Sequence, residues 1–504
     1  MHTPSEHFRI AIVGSGFSGL GMAIRLRQEG VEDFVVLERA HDVGGTWRDN
    51  SYPGAACDVP SRLYSFSFAQ NPEWSRSFSP QGEILDYLRD CAQRFGVLPH
   101  VRFGAAAESA EWDEEAQRWL VSTAAGDLTA DVLVAAAGGL SDPKLPDVHG
   151  LDRFEGKVFH SAAWDHDHDL TGERVAVVGT GASAIQIVPA IQPRVGHLDL
   201  YQRTPAWIIP RNDRALSRLE RTLYRRVPRL QNLVRGAIYW TRELYALGFT
   251  SRRGLMKPVE RLARELLRRQ VRDPDLRRRL TPSYDIGCKR ILISSDFYPA
   301  LSQPNAELVT SPIAEVRERS VLTSDGREHP TDTIVFATGF QVTPPPVAER
   351  VRGRGGHSLA EVWARAGMQA HRGTTVAGFP NLFFLVGPNT GLGHTSIVHV
   401  IESQIAYVMD ALRAMEREGV AALEPTPEAQ AHWNERVQGD LEGTVWNAGG
   451  CASWYLDDHG RNGTIWPGFT FRLRALLSEF DARNYELTPR RPAPGRRERE
   501  AVPA

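Results

Sequence analysis

The sequence predicts an α/β protein with two Rossmann-like dinucleotide-binding domains, the second inserted in the first and carrying a helical insertion. Two short apolar runs are each followed at once by a glycine-rich turn, at residues 8–19 and 175–184. Two further buried strands are predicted before and after the second unit, at 131–138 and 333–340. A chain of 504 residues is long enough for two or three cores of ordinary size.

The composition excludes several other classes of protein. With 42% hydrophobic and 24% charged residues, the chain is neither mainly disordered nor mainly membrane-spanning. A formal charge of -2 argues against the whole chain as a nucleic-acid binder. No signal sequence precedes the first strand and no apolar run is long enough to span a bilayer, so we expect a cytoplasmic protein.

The cysteines predict neither a disulfide scaffold nor a metal or redox centre. No C-x-x-C pair occurs among the four residues, and they lie far apart in the chain. We therefore expect reduced, mainly structural thiols at Cys57, Cys91, Cys288 and Cys451.

The first glycine-rich turn is typical of a dinucleotide site. The strand at 8–13 leads into Gly14, Gly16 and Gly19 in G-x-G-x-x-G spacing, and the next strand, 34–37, ends at Glu38. Glycines at this spacing let the backbone approach a pyrophosphate, and a strand-end carboxylate accepts hydrogen bonds from ribose hydroxyls. This unit is therefore expected to bind FAD or NAD.

The second turn repeats the pattern but differs at the end of the second strand. It contains Gly179 and Gly181, with Ala184 at the third glycine position, and Arg203 occupies the position that corresponds to Glu38. An arginine there pairs with a 2'-phosphate, which favours NADPH, with Thr204 and Lys289 as further candidates for the same phosphate. The alternative is that Arg203 is a solvated strand-end residue.

These units give a predicted domain organisation. A proline-rich segment follows the strand at 131–138, and the strand at 333–340 is expected to return the chain to the first domain. We assign 1–145 and 333–487 to the FAD-binding domain, 146–332 to the NADPH-binding domain, and 488–504 to a disordered tail.

A helical segment at about 213–283 interrupts the α/β alternation. Its basic residues exceed its acidic ones by about a dozen. A solvated cap over the neighbouring domains is favoured over contact with a membrane surface or a polyanion. Its apolar residues could also form one wall of a substrate cavity.

Three segments resemble a known family. Residues 44–58 closely match G-G-x-W-x-x-x-x-Y-P-G-x-x-x-D, residues 154–165 match F-x-G-x-x-x-H-x-x-x-W-D, and A-T-G-F follows at 337–340. Together they resemble the type I Baeyer-Villiger monooxygenases, which are class B flavoprotein monooxygenases. The resemblance covers most of the chain outside the helical insert and the two termini.

The resemblance implies a reaction and its principal residues. Reduced FAD would capture dioxygen as a flavin peroxide that attacks a small-molecule ketone, giving an ester or lactone, with no role for nucleic acid. Arg290 is implied as the catalytic residue, with Asp58 beside it and Lys289 turned towards the NADPH phosphate. The alternative is that Lys289 and Arg290 form an ordinary exposed basic pair.

The resemblance also implies the residues that line the two cofactors. For FAD these are Gly14, Gly16, Ser18, Gly19, Glu38, Trp47, Asp58, Tyr64, Ala107 and Ile397. For NADPH they are Gly179, Gly181, Ala182, Ser183, Gln186, Arg203, Thr204 and Lys289. Trp446 is expected to close over the nicotinamide or the substrate, with a place in the core as the alternative, and His160 and Trp164 are implied as linker residues.

Three other functions compete with a ketone oxygenase. A flavin-containing enzyme that oxygenates nitrogen or sulfur would share both nucleotide sites, but Trp164, Asp165 and Arg290 favour the ketone-oxidising group. An NADPH oxidase or a pyridine-nucleotide reductase is the second alternative, and the absence of a dithiol pair weakens its disulfide-reductase version. A flavoprotein that binds an anionic partner through the helical insert is the third alternative.

Overall fold

We describe the protein from a computed structural model, over residues 6–457 and 459–491. Within these residues, no helix combines the length and the apolar character needed to cross a bilayer.

The strands are short and most are parallel. In chain order they are β1 (Glu6–Val13), β2 (Phe34–Leu37), β3 (Val101–Arg102), β4 (Ala107–Asp113), β5 (Arg118–Thr123), β6 (Leu128–Ala135), β7 (Lys157–His160), β8 (Arg174–Val178), β9 (His197–Tyr201), β10 (Ile208–Ile209), β11 (Leu292–Ile293), β12 (Ala306–Val309), β13 (Ile313–Arg317), β14 (Ser320–Thr323), β15 (Glu328–Pro330), β16 (Thr333–Phe336), β17 (Val351–Arg352), β18 (Leu382–Phe384), β19 (Val420–Pro425) and β20 (Tyr485–Pro489).

The helices cover both sheets and form the insert. They are α1 (Phe17–Gln28), α2 (Thr46–Asp49), α3 (Gln81–Arg94), α4 (Ala184–Ile191), α5 (Arg218–Arg226), α6 (Pro228–Phe249), α7 (Lys257–Gln270), α8 (Pro274–Arg279), α9 (Phe297–Leu301), α10 (Val347–Arg350), α11 (Leu359–Ala366), α12 (Ile397–Glu418), α13 (Pro427–Leu441), α14 (Val445–Ala448) and α15 (Thr470–Leu476).

The first sheet is built around β1. Its order is β17-β4-β5-β6-β1-β2-β3, with β18 also paired to β6, and β1 runs parallel to both β2 and β6. Ile10, Ala11 and Ile12 are fully buried, as expected for a parallel strand covered on both faces. Helix α1 follows β1 directly and packs against α12, so the predicted strand, turn and helix are confirmed.

The second sheet has the order β12-β9-β8-β16-β7. All its pairs are parallel, and its central strands carry the buried residues Val175, Val177 and Val335. Helices α4 and α9 pack together over it. The predicted second α/β unit is therefore confirmed.

One strand lies in a different sheet from the one predicted. The run at 333–340 was expected to return the chain to the first domain, but β16 lies between β8 and β7, with Phe336 opposite Val178 and His160. The chain returns later, where β17 pairs with β4 and β18 with β6. The prediction was wrong because a buried apolar run has the same pattern in either sheet.

The helical insert is confirmed as α5 to α8, and the C-terminal strand extends further than expected. Thr488 and Pro489 belong to β20, where they pair with Ala422 and Val420 of β19. The predicted disordered tail therefore cannot begin at 488. Its residues 492–504 lie outside the described part of the chain.

The expectation of reduced cysteines is wrong for one pair. Cys288 and Cys451 form a disulfide, whereas Cys57 and Cys91 are free and buried. The two bonded cysteines are separated by 163 positions, so spacing alone could not reveal the pair. The bond joins the loop that holds Arg290 to the loop that follows α14.

Removing this bond should destabilise the protein. We expect Cys288→Ser with Cys451→Ser to lower the free energy of unfolding by about 2–4 kcal/mol, because the cross-link restricts the unfolded chain. The measurement is the denaturant midpoint with and without a dithiol reductant. Cys91→Ser is the matched control: it keeps the disulfide, so the difference between its midpoint and that of wild type should be the same with and without reductant. A wild-type midpoint that reductant leaves unchanged would contradict the assignment.

Candidate active site

The first glycine turn is compact on one side and open on the other. Gly14 has a φ of 103°, and a side chain there would bring a Cβ within 2.8 Å of the Ala136 carbonyl oxygen. A Cβ on Gly19 would collide with the Gly14 carbonyl, so both positions require glycine. A Cβ on Gly16 would meet nothing closer than 3.7 Å, which leaves room beside the N-terminus of α1 for a pyrophosphate.

Glu38 lies at the end of β2 with its carboxylate held in place. Only 3% of its surface is exposed, and it accepts hydrogen bonds from the Ser15 backbone and hydroxyl, the Ala40 backbone and Arg48 Nη1. Burial raises the pKa of Glu38, but these hydrogen bonds and the Arg48 charge outweigh it and hold the pKa below its ordinary value. The carboxylate is thus ionised and fits a ribose hydroxyl. The part played by Arg48 was not predicted from the sequence.

Aromatic side chains line the space beyond this turn. Trp47 Nε1 donates to the Tyr64 hydroxyl at 3.1 Å, and Phe17 packs edge-on against Tyr64 at 5.0 Å between ring centroids. Burial raises the pKa of Tyr64, so its hydroxyl stays protonated. Planar walls of this kind fit a planar ring system.

The remaining residues predicted to line FAD lie on different elements. Ser18 is buried in the first turn of α1. Ala107 is the first residue of β4, and Ile397 is the first residue of α12, where Ser396 caps the helix. Their contacts with FAD stay predictions.

The second glycine turn repeats the geometry of the first. Gly179 has a φ of 118°, and a Cβ there would collide with the Ala337 carbonyl. A Cβ on Gly181 would meet no atom within 4 Å, and Gly181 and Ala182 are exposed ahead of Ser183 and α4. The open side of this turn leaves room for a second pyrophosphate.

Gln186 connects the two nucleotide units. Its side-chain oxygen accepts from the Tyr52 hydroxyl at 3.0 Å, and its side-chain nitrogen donates to the Ala56 carbonyl at 2.9 Å. Gly54 lies against the Gln186 backbone, where a Cβ would approach the carbonyl oxygen to 2.7 Å. The side chain therefore fastens α4 to the loop that leads to Asp58, and its predicted contact with a pyrophosphate stays a prediction.

The basic residues predicted to bind the 2'-phosphate lie close together. Arg203 is exposed at the end of β9, beside Thr204, whose carbonyl accepts from the Thr180 hydroxyl. Burial lowers the pKa of Lys289, and the charge of nearby Arg203 lowers it further. Within the described residues, neither cation has a carboxylate at ion-pair distance, so together they attract an anion.

Asp58 and Arg290 form a two-point ion pair. Arg290 Nε and Nη2 each donate to one Asp58 oxygen at 2.7 Å, across 232 positions of sequence. The Asp58 charge raises the pKa of Arg290. Burial raises the pKa of Asp58, but the Arg290 charge and hydrogen bonds outweigh burial and hold this pKa below its ordinary value. The side chains of Arg290 and Asp58 are 39% and 24% exposed, so the pair is accessible to a ligand. The bidentate contact fixes the guanidinium plane.

Two residues to which the sequence analysis assigned no role in the site complete this region. The charge of Arg242, on α6, adds to that of Arg290 in lowering the pKa of Asp58. Tyr455 is buried, which raises the pKa of its hydroxyl, and the nearby Arg290 charge opposes that rise. No spacing in the sequence identifies either residue, because α6 and the C-terminal loop reach Arg290 only in the folded chain.

Trp446 and His160 lie in buried positions. Trp446 is 2% exposed and packs against Phe249 at 5.6 Å between ring centroids, which is the core position weighed as its alternative. His160 ends β7, accepts from the Ala162 backbone through Nδ1, and packs edge-on against Phe340. Burial lowers the pKa of His160, so the ring is neutral at neutral pH.

Comparison with known proteins identifies the family. The sequence profile described as "Flavin-binding monooxygenase-like" matches residues 7–238. A Baeyer-Villiger monooxygenase of Streptomyces coelicolor is 56% identical, with 97% of this chain and 94% of the relative aligned. One from Pseudomonas aeruginosa is 52% identical, with 96% and 92% aligned.

Solved structures give the same answer. A closed cyclohexanone monooxygenase superposes with a TM-score of 0.86 at 30% identity, covering 96% of this chain and all of the other. A steroid monooxygenase bound to NADP has a TM-score of 0.83 at 33% identity, covering 96% and 99%. These matches confirm the predicted fold class, the flavoprotein monooxygenase activity of Baeyer-Villiger type and the cofactor pair FAD and NADPH. The chain belongs to the Baeyer-Villiger monooxygenases of the flavin-binding monooxygenase family.

Proposed function

We propose that Arg290, held by Asp58, is the catalytic residue with which this enzyme inserts one oxygen atom of dioxygen next to a ketone carbonyl. The observation that supports this role is the bidentate ion pair that Arg290 forms with Asp58. Its substrate is a small-molecule ketone and its product an ester or lactone. The solved relatives include a cyclohexanone monooxygenase bound to ε-caprolactone, which is such a product.

The cofactors and the protein have separate tasks. When bound, FAD reduced by NADPH supplies the oxygen-activating chemistry. Arg290 supplies a permanent positive charge for the negative charge that develops on the substrate oxygen. Asp58 occupies Nε and Nη2, so Nη1, on the opposite side from the carboxylate, is left to donate to the substrate.

We propose separate cofactor roles for the two turns. The turn at Gly14–Gly19, with Glu38, Trp47 and Tyr64, holds FAD. The turn at Gly179–Ser183 holds the NADPH pyrophosphate, and Arg203 and Lys289 hold its 2'-phosphate. The groups near the two strand ends differ, which supports this division. The first has the buried carboxylate of Glu38, and the second has Arg203 and Lys289, which have no carboxylate partner among the described residues.

A substrate panel tests the proposed reaction. We expect the purified holoenzyme with NADPH to convert cyclic or aryl ketones into esters that gas chromatography and mass spectrometry identify. Amines and thioethers serve as the comparison set, because a soft nucleophile needs no polarised carbonyl. Oxygenation of that set without any ester from a broad ketone panel would contradict the proposal.

Asp58→Asn tests the ion pair through pH. The Asp58 carboxylate has a lowered pKa, so it is fully ionised and holds Arg290 at neutral pH. This hold on Arg290 is lost only as the pH falls through that depressed value. We expect the ion pair to support ketone oxygenation by wild type throughout pH 6 to 8. The kcat/KM of the variant should be about 10- to 100-fold lower than that of wild type across the same range. The pH profile of kcat/KM checks this. An unchanged value in the variant would remove Asp58 from its positioning role.

A further inference from the structure

The helical insert exposes an unusual amount of apolar surface. Across the described residues, nine of the seventeen large apolar side chains that are exposed lie within 213–283. Isolated exposed apolar residues are normal, but a concentration in one small segment marks an interaction surface. The nine are Leu219, Leu223, Val227, Leu233, Trp240, Leu244, Tyr245, Leu255 and Leu262.

These side chains form stripes along consecutive helices. Leu233, Trp240 and Leu244 are 69%, 57% and 64% exposed, and their spacing of seven and four places them on one face of α6. Leu219 and Leu223, four apart on α5, form a second stripe. Trp240 packs against the exposed Phe471 at 5.7 Å between ring centroids, which extends the apolar area beyond the insert.

Unpaired arginines accompany the apolar stripes. Arg218, Arg226 and Arg229 are exposed, and none has a carboxylate at ion-pair distance within the described residues. Arg225, by contrast, pairs with Glu73 at 3.5 Å. Because the whole chain has a formal charge of -2, the basic excess of the insert is a local feature.

We propose that α5 and the exposed face of α6, which we name the docking surface, bind the surface of an anionic lipid bilayer. Leucine and tryptophan side chains enter the boundary between headgroups and acyl chains, and the unpaired arginines attract anionic headgroups. A second copy of the chain is a poorer occupant, because a two-fold contact would bring two positively charged surfaces together. The inference goes beyond the oxygenation reaction and does not depend on it.

Vesicle flotation of the holoenzyme tests the proposal. We expect binding to phosphatidylcholine vesicles that contain phosphatidylglycerol, little binding to phosphatidylcholine alone, and release as salt screens the charges. Replacing Leu233, Trp240 and Leu244 by alanine should weaken partitioning at least about tenfold. Replacing Arg218, Arg226 and Arg229 by glutamine should weaken it about 100-fold.

Matched variants separate docking from general changes in surface or fold. Leu145→Ala removes an equally exposed apolar side chain outside the docking surface, and Arg365→Gln removes an exposed arginine outside it. Both should float like wild type. All variants should retain bound flavin and turn over a water-soluble ketone normally, which shows that they are folded.

Three results would overturn the proposal. The first is the absence of flotation with anionic vesicles at low ionic strength. The second is a dimer, seen by sedimentation, that the apolar triple variant abolishes while no vesicles are bound, since the surface would then contact a second copy. The third is binding to heparin without binding to vesicles, which would assign the arginines to a polyanion.

Discussion

Replacing Arg290 by alanine is expected to lower ketone oxygenation by about 100- to 1,000-fold while NADPH still reduces the bound flavin. The guanidinium is the only group of the Asp58–Arg290 pair that can place a positive charge on a substrate oxygen. The turns that we propose hold the two cofactors are built from other residues, so hydride transfer should continue. Stopped-flow reduction under anaerobic conditions and product analysis in air measure the two activities separately.

Two further variants sharpen this prediction. Arg290→Lys keeps a positive charge but cannot hold Asp58 through two parallel hydrogen bonds, so it should recover only a small part of the activity. Arg365→Ala, at an exposed position outside the site, should behave like wild type. Ester formation at the wild-type rate by Arg290→Ala would exclude Arg290 as the catalytic residue.

The double change Arg203→Ala with Lys289→Ala should reduce the preference for NADPH over NADH by about 100-fold. In the proposed site each cation would make a charge-assisted contact with the 2'-phosphate of NADPH, whereas NADH has no 2'-phosphate. The ratio of kcat/KM values for the two cofactors measures the effect. NADH turnover should change little, because the proposed pyrophosphate site at Gly181 is untouched.

Arg194→Ala provides the control for cofactor preference. Arg194 is exposed in the same domain, after α4, and should leave the ratio unchanged. A ratio that stays at its wild-type value in the Arg203 and Lys289 variant would show that the 2'-phosphate is bound elsewhere. Arg203 would then be the solvated strand-end residue considered as its alternative.

The features that the sequence predicted well depend on short-range patterns. Each nucleotide unit is a strand, a turn and a helix that follow one another directly, so glycine spacing and apolar periodicity suffice to place them. The turn at Gly14 and the position of Glu38 belong to this group. The helical character of the insert is likewise visible in the local sequence.

The features that it missed depend on contacts between distant parts of the chain. The apolar run of β16 shows that the strand is buried but not which sheet it joins. The Cys288–Cys451 bond forms only when the C-terminal loop reaches the loop of Cys288 in the folded chain. The approach of Arg242 to Asp58 likewise requires the folded insert. The pairing of Arg290 with Asp58 was available from family resemblance, and not from the spacing of the two residues.

Turnover of a cyclic ketone that the panel identifies as a substrate, in isotopically labelled dioxygen, tests the proposed reaction most directly. Supplied with NADPH, the holoenzyme should form a lactone that contains one labelled oxygen atom, and should consume one NADPH for each lactone formed. Mass spectrometry of the product and the absorbance of NADPH measure both quantities. NADPH consumption that yields only hydrogen peroxide, with every ketone of the panel unchanged, would contradict the proposed oxygen insertion.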